Sequence, residues 1–203
     1  MLRFRIDGAT WELAFSDEAL TVLGKHIQRG RGSKEAVGQL YSRDLTATIL
    51  VVDAVTLLKP TYAAFARVQF DRRKMEAERH EQFQKGLHCL GIWHSHPEAV
   101  PHPSGEDRRL ARDHALAAKP GREGLVFVIL GNRPFPQALA VWVDDGEKLW
   151  PASLMTEPIE TAPAGAIDEP VAPSTAAELS TSLGPAAATC SDPQAGSRTR
   201  HCN

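Results

Sequence analysis

Apolar and polar residues alternate from the start of the chain: Leu2, Phe4 and Ile6 share one parity, Asp7-Gly8 interrupts, and Trp11, Leu13 and Phe15 resume it. Period-two alternation around an Asp-Gly pair predicts a β-hairpin. The spacing then lengthens. Ser16 and Asp17 are N-cap residues, and Leu20, Leu23 and Ile27 fall on one face of a 3.6-residue period. A helix is predicted there, stopped by Gly30-Arg31-Gly32, and its basic end at Lys25, His26, Arg29 and Arg31 suits the helix dipole without any ligand. Glu35 opens the next predicted strand, in which Gly38 leaves room for a close backbone and Leu40 faces inward. Residues 46–58 carry Ile49, Leu50, Val51, Val52, Val55 and Leu57, which predicts one long strand ended by Lys59-Pro60.

Further along, Ala66-Arg67-Val68-Gln69-Phe70 supports a short strand within the otherwise ambiguous residues 62–70. Asp71 caps a polar helix over residues 72–85, stopped by Gly86 and anchored by Met75, His80 and Phe83. Its charges Arg72, Arg73, Lys74, Glu76, Glu78, Arg79 and Glu81 mix signs and read as a solvated face. The apolar run from Leu87 to Trp93 predicts a buried strand. Ser104 is placed to cap a helix through Arg108, Leu110, Ala111, Ala115 and Ala118, which Lys119-Pro120-Gly121 stops. Two more strands follow, at residues 125–130 and 138–143. Pro134 and Pro136 exclude a tight hairpin between them, and Phe135 reads as an exposed partner contact. Lys148-Leu149-Trp150 adds a last short strand.

Composition changes this picture at one end. The chain as a whole is 42% hydrophobic, enough for a core, but 29 of the 47 residues from Glu157 to Asn203 are Ala, Pro, Ser, Thr or Gly, with no Phe, Tyr or Trp. Such a segment buries too little apolar surface to offset its ordering entropy, so residues 155–203 are expected to be a disordered tail. A net charge of −2 gives no reason to expect nucleic acid or an anionic membrane as partner. No apolar run reaches spanning length and the N-terminus lacks a signal-peptide core, so a cytoplasmic protein is expected. Cys89, Cys190 and Cys202 make no disulfide framework. Cys89 has the strand parity opposite to His94 and reads as a buried structural thiol.

The chemistry gathers just after the buried strand, in His94-Ser95-His96-Pro97 and Ser104-Gly105-Glu106-Asp107. Side chains alternate along a strand, so His94 and His96 point to one face with Cα atoms about 6.6 Å apart. Two imidazoles so placed can converge on one ion. Zinc takes neutral His nitrogens at about 2.0–2.1 Å, prefers four ligands and, as a catalyst, leaves one position to water. A third protein ligand is therefore wanted, and Asp107 falls in the inward-turned first turn of the helix capped by Ser104. A plain capping box is the simpler reading of that pair, and surface hydrogen bonding the simpler reading of a lone His-x-His.

The combination is more specific. His-Ser-His-Pro, six residues (98–103), Ser, two residues and Asp resembles the signature of the JAMM/MPN metalloproteases, with every position filled. The resemblance spans about residues 1–152. It implies an α/β, MPN-like (cytidine-deaminase-like) fold: a mixed sheet flanked by helices, with a metalloprotease domain over 1–154. It further implies Zn2+ held by His94, His96 and Asp107, with Glu35 as general base and Ser104 as the donor beside the reacting carbonyl. The order of Arg67-Val68-Gln69-Phe70-Asp71, polar helix and Cys89-Leu90-Gly91-Ile92-Trp93-His94 is similar to the compact prokaryotic (Prok-JAB) branch. That branch is found with bacterial conjugation systems, including anti-phage operons of the CBASS type. The implied activity is an isopeptidase or peptidase cutting after the C-terminus of a ubiquitin-like protein or within its conjugates, with E1/E2-like proteins as operon partners. Trimming of a ubiquitin-like sulfur carrier, or hydrolysis of a small amide, fits the same site. A non-catalytic MPN scaffold is disfavoured because no ligand is missing. His88, His102 and His114 are expected to stay off the metal.

Overall fold

A computed structural model describes residues 1–29, 33–59, 62–64, 67–69, 72–119 and 124–156. The expected tail from Glu157 onward, Cys190 and Cys202 lie outside the described residues. The opening alternation forms β1 (Leu2–Ile6) and β2 (Glu12–Phe15), paired antiparallel with Leu2 opposite Phe15. The Asp7-Gly8 turn is present, closed by Ala9 N–H to Ile6 O at 3.1 Å, yet the ladder restarts only at Glu12. The Glu12 N–H goes instead to Thr48 O, at 2.9 Å, on a neighbouring segment.

Ser16 caps α1 (Asp17–Gly24) by accepting the Ala19 N–H. The helix ends at Gly24, well before the predicted stop at Gly30, because Lys25 and His26 turn their N–H groups back to Val22 O and Leu23 O. Its last turn therefore holds none of the expected basic residues, and the chain is released to bury Gln28 at 4% exposure.

β3 (Val37–Ser42) starts two residues after Glu35, not at it. The predicted long strand over 46–58 divides at Asp53 into β4 (Ile49–Val52) and β5 (Ala54–Val55). β4 runs parallel to β2, whereas β5 runs antiparallel to β3. With β6 (Tyr62–Ala64) and β7 (Arg67–Gln69) forming a separate two-stranded sheet, and with β8 (His88–Ser95), β9 (Leu125–Leu130), β10 (Leu139–Asp144) and β11 (Leu149–Leu154) following, the main sheet takes the order β4-β2-β1-β11-β10-β9-β8-β3-β5. The two pieces of one segment thus occupy opposite edges, so the sheet curls until Asp53 bridges them. Its N–H binds Tyr41 O at 2.9 Å and its carboxylate takes the Arg43 N–H at 2.7 Å.

The remaining elements are α2 (Arg72–Gln84) and α3 (Gly105–Ala118). β8 runs parallel to β9 and antiparallel to β3, in the centre of the sheet rows that carry the site. One face packs Leu13, Phe15, Trp93, Val128 and Leu130 with Ala19 and Leu23 of α1. The other packs Val37, Ile92, Phe127 and Ile129 with Met75 of α2 and Ala111 and Ala115 of α3. This is the expected mixed sheet flanked by helices. Phe135 packs against the first face, beside Gly24, rather than standing free for a partner.

α2 departs from a simple solvated face. Met75 anchors it as expected, but Phe83 is 57% exposed and His80 is also exposed. Glu78 turns inward instead, its Oε1 accepting from Gln39 at 2.9 Å, Tyr41 at 2.8 Å and Thr56 at 2.5 Å, and Arg79 donates to Gln39 Oε1. The buried amide and phenol of β3 need partners, and α2 supplies them.

Gly38 meets the expectation of close approach. A Cβ there would lie 1.8 Å from Thr56 O, the acceptor of the Trp93 indole N–H at 3.0 Å. Gly38→Ala should push Thr56 off β3 and break that buried bond, combining overpacking with an unmet donor at roughly 3 kcal/mol. A fall in thermal midpoint of roughly 6–12 °C is expected by calorimetry, at about 2–4 °C per kcal/mol for a domain of this size. A midpoint within about 2 °C of wild type would mean that β5 and its extension yield without loss.

Candidate metal centre

β8 ends where it delivers its histidines. His94 is buried at 5% exposure and lies opposite Val37 of β3, while His96 follows the strand with its N–H bound to Leu130 O at 2.8 Å. Their Nε2 atoms are 2.9 Å apart. Asp107, in the first turn of α3, brings Oδ1 to 3.2 Å from His94 Nε2 and Oδ2 to 4.0 Å from His96 Nε2. One donor atom from each of the three side chains lies within 4.8 Å of the others, and among the described residues no other His, Cys, Asp or Glu set of three does so. Ligands at about 2.0–2.1 Å on a tetrahedral ion stand about 3.3 Å apart, so this donor set fits zinc in both chemistry and spacing.

The protonation states suit a cation as well. Burial would raise the Asp107 carboxyl, but the hydrogen bond and charge of His94, with two bonds from Ser104, hold it well below the usual carboxylate range. Burial and the neighbouring His94 push the His96 imidazole down, against the pull of Asp107 and Glu98. An ionised carboxylate beside a neutral imidazole is the form in which these groups ligate metals.

The capping box and the site turn out to be one arrangement. Ser104 Oγ accepts the Asp107 N–H at 3.2 Å and Asp107 Oδ2 accepts the Ser104 N–H at 2.7 Å. The hydroxyl can also donate, and its bond to the Asp107 carboxylate is one of the two from Ser104 that hold that carboxyl low. The side chain is exposed at the mouth of the site.

Glu35 is 9% exposed. Continuing the β3–β8 register from Val37↔His94 sets Glu35 across from His96. Burial pushes its carboxyl up to about 7, with His94 pulling it down and Asp107, Glu106 and Glu98 adding to the rise. A carboxyl that titrates near neutrality can both take and return a proton.

Two further residues belong to the site, Ser95, which the motif contains without giving it a role, and Gln28, which no motif marks. Ser95 Oγ accepts the Ala36 N–H at 2.9 Å and a bond from Gln28 Nε2 at 3.0 Å, and Ser95 O accepts from the same Nε2 at 3.2 Å. Gln28 falls within the helix predicted to run to Gly30. The only available signal was Ser95 itself, a polar side chain on the buried face of a strand, which requires partners.

Strand parity also needs correction. β3 pairs Leu40 with Gly91 but Tyr41 with Cys89, so Leu90 is an extra residue and the alternation breaks there. Cys89, not His88, continues the row of His94, and its thiol lies against Gln39 Oε1 at 3.8 Å, away from the triad. It is buried, as expected. His88 meets Phe83 edge to face, His102 is exposed, and burial pushes His114 down to about 4, helped by Arg79 and Arg72; none joins the donor set.

Comparison with known proteins bears on the family and the fold. The family model described as prokaryotic homologs of the JAB domain (Prok-JAB) matches residues 17–144. A protein of Enterobacter hormaechei subsp. hoffmannii named CD-NTase/cGAS isopeptidase is 30% identical over 138 residues, covering 64% of this chain and 73% of that protein. One of the same name from Pseudomonas aeruginosa is 31% identical over 100 residues, covering 47% of this chain and 63% of its own length. A solution structure from Desulfitobacterium hafniense superposes with a TM-score of 0.53 at 20% identity, over 68% of this chain and 88% of that one, a likeness of fold alone. Among the described residues, no helix is long and apolar enough to cross a membrane.

Proposed function

The chain belongs to the prokaryotic homologs of the JAB domain, and from that premise we propose that it is a cytoplasmic zinc metallo-isopeptidase. Its substrate is the bond after the C-terminus of a ubiquitin-like protein, joined to a CD-NTase/cGAS-type target of the kind named for its two relatives. The observation that carries this reading is the convergence of His94, His96 and Asp107 within 4.8 Å, faced by a buried Glu35. The catalytic unit is residues 1–154, with the tail outside it and E1/E2-like proteins as its functional neighbours.

Zinc bound by His94, His96 and Asp107 supplies a Lewis acid and an acidified water near neutral pH. Glu35 receives the proton of the attacking water and passes it to the leaving lysine amine, a transfer that typically contributes 10²–10⁴-fold. The Ser104 hydroxyl, with its oxygen engaged by the Asp107 N–H, turns its hydrogen from the Asp107 carboxylate to the carbonyl oxygen as negative charge develops there. Ser95 and the β3–β8 ladder keep the histidines and Glu35 on one face while the reaction proceeds.

The test is a cleavage panel of isopeptide-linked and C-terminally extended ubiquitin-like fusions, including a CD-NTase-type conjugate. Purified protein should cleave at least one, lose activity with chelator and regain it with added zinc. Cleavage that persists after full metal removal would overturn the metal-dependent reading. Preference for a linear extension over an isopeptide would favour the trimming reaction.

A further inference from the structure

Gln28 lies 67 residues from Ser95 in sequence, yet its side chain is 4% exposed and bound to Ser95 twice. The orientation of its amide is fixed by chemistry. Ser95 O is a backbone carbonyl and can only accept, so the NH₂ end of Gln28 must face it. The other end, Oε1, is buried without a partner among the described residues. An unmet buried acceptor destabilises the fold, and a methionine of similar length would not carry that burden. The two donated bonds are therefore where this side chain contributes.

Those bonds fall where the β3–β8 ladder changes partners. In a regular antiparallel pair, the Ala36 N–H would bind Ser95 O while the Ser95 N–H bound Ala36 O. The second bond is present at 2.9 Å. The first is replaced: the Ala36 N–H goes to Ser95 Oγ, and Ser95 O is taken by Gln28. Gln28 thus holds the serine in the rotamer that receives Ala36. Ala36 is the residue directly after Glu35, so its position sets where the Glu35 carboxylate is delivered.

We propose that Gln28 is a positioning residue for Glu35, acting through Ser95 and the Ala36 amide to set the carboxylate against the His94–His96 face. The assignment rests on the reading of Glu35 as the proton-transfer group. A small misplacement of such a group is enough to lower the chemical step strongly.

Gln28→Met keeps length and burial and removes both donated bonds. Three measurements on the full chain decide the matter. Amide hydrogen exchange at Ala36 should accelerate at least about tenfold, since its acceptor is no longer held. With zinc content and KM at wild-type values, kcat on the cleaved fusion should fall about tenfold or more. In a Glu35→Gln background the same change should leave the residual kcat unaltered, because groups that act as a unit are non-additive. Gln28→Glu, the same size but opposing two acceptors to Ser95 O at neutral pH, should be no better than Gln28→Met.

Unchanged exchange at Ala36 would overturn the proposal whatever the kinetics. An equal fall in kcat with and without Glu35 would overturn it too, as would loss of zinc, which would mean that the clamp serves the histidines. If wild type cleaves nothing, the isopeptidase reading fails by itself, and the Ala36 exchange still reports whether Gln28 sets this segment.

Discussion

Glu35→Gln is expected to lower cleavage by at least about 10²-fold while leaving zinc content and the thermal midpoint near wild type. The amide matches the carboxylate in shape, so the buried pocket across from His96 stays filled, but it cannot accept and return a proton. The loss should fall on kcat rather than KM, since proton transfer belongs to the transition state. A pH profile adds an independent check. A base must be ionised to act, so kcat/KM of wild type should fall as pH drops through the Glu35 pKa. Burial raises that value to about 7 in the metal-free protein. A bound cation favours the carboxylate, so the acid limb should lie at or below about 7, and it should vanish in Glu35→Gln. Cleavage by Glu35→Gln at the wild-type rate would remove it as the base. Glu98, 3.8 Å from His96 Nδ1, or Glu106 in the first turn of α3 would then be the next candidate.

The legible parts of the sequence were those in which local pattern and tertiary demand coincide. β1, β2, β8, β9 and α3 follow from their apolar periodicity and caps, and the convergence of His94, His96 and Asp107 follows from motif spacing. The helix predicted past Gly24 failed because periodicity could not see that Gln28 is wanted at Ser95, a contact 67 residues away. The strand over 46–58 failed for a similar reason. Its residues are apolar throughout, but each half has a different partner, and only the curl of the sheet decides where the break falls. Glu78 and Arg79 looked solvated because a mixed-charge helix normally is. Gln39 and Tyr41, buried on β3, turn those two side chains inward. The bulge at Leu90 is invisible to parity counting, which assumes an unbroken alternation.

Asp107 joins the two readings that its spacing first set against each other, and its variants can separate them. Its Oδ2 accepts the Ser104 N–H at 2.7 Å while its Oδ1 stands 3.2 Å from His94 Nε2. Asp107→Ala removes both functions: zinc should be lost, since two protein ligands leave the ion under-coordinated, and cleavage with it. The metal-free protein should also lose about 1 kcal/mol of helix capping, a fall of about 2–4 °C in thermal midpoint. Asp107→Asn keeps an oxygen for the Ser104 N–H but loses the negative charge. Its metal-free midpoint should therefore fall at neutral pH even with the Ser104 N–H bond kept, because the carboxylate's attraction to His94 is gone, and its zinc affinity should fall as well. The acid behaviour follows from the depressed Asp107 carboxyl. A group held below its ordinary range in the fold contributes stability that is present above about pH 4 and lost as pH falls further. Both variants should therefore show a shallower loss of midpoint on acidification than metal-free wild type. Stoichiometric zinc in Asp107→Ala, by elemental analysis after dialysis, would remove Asp107 from the ligand set and return it to capping alone.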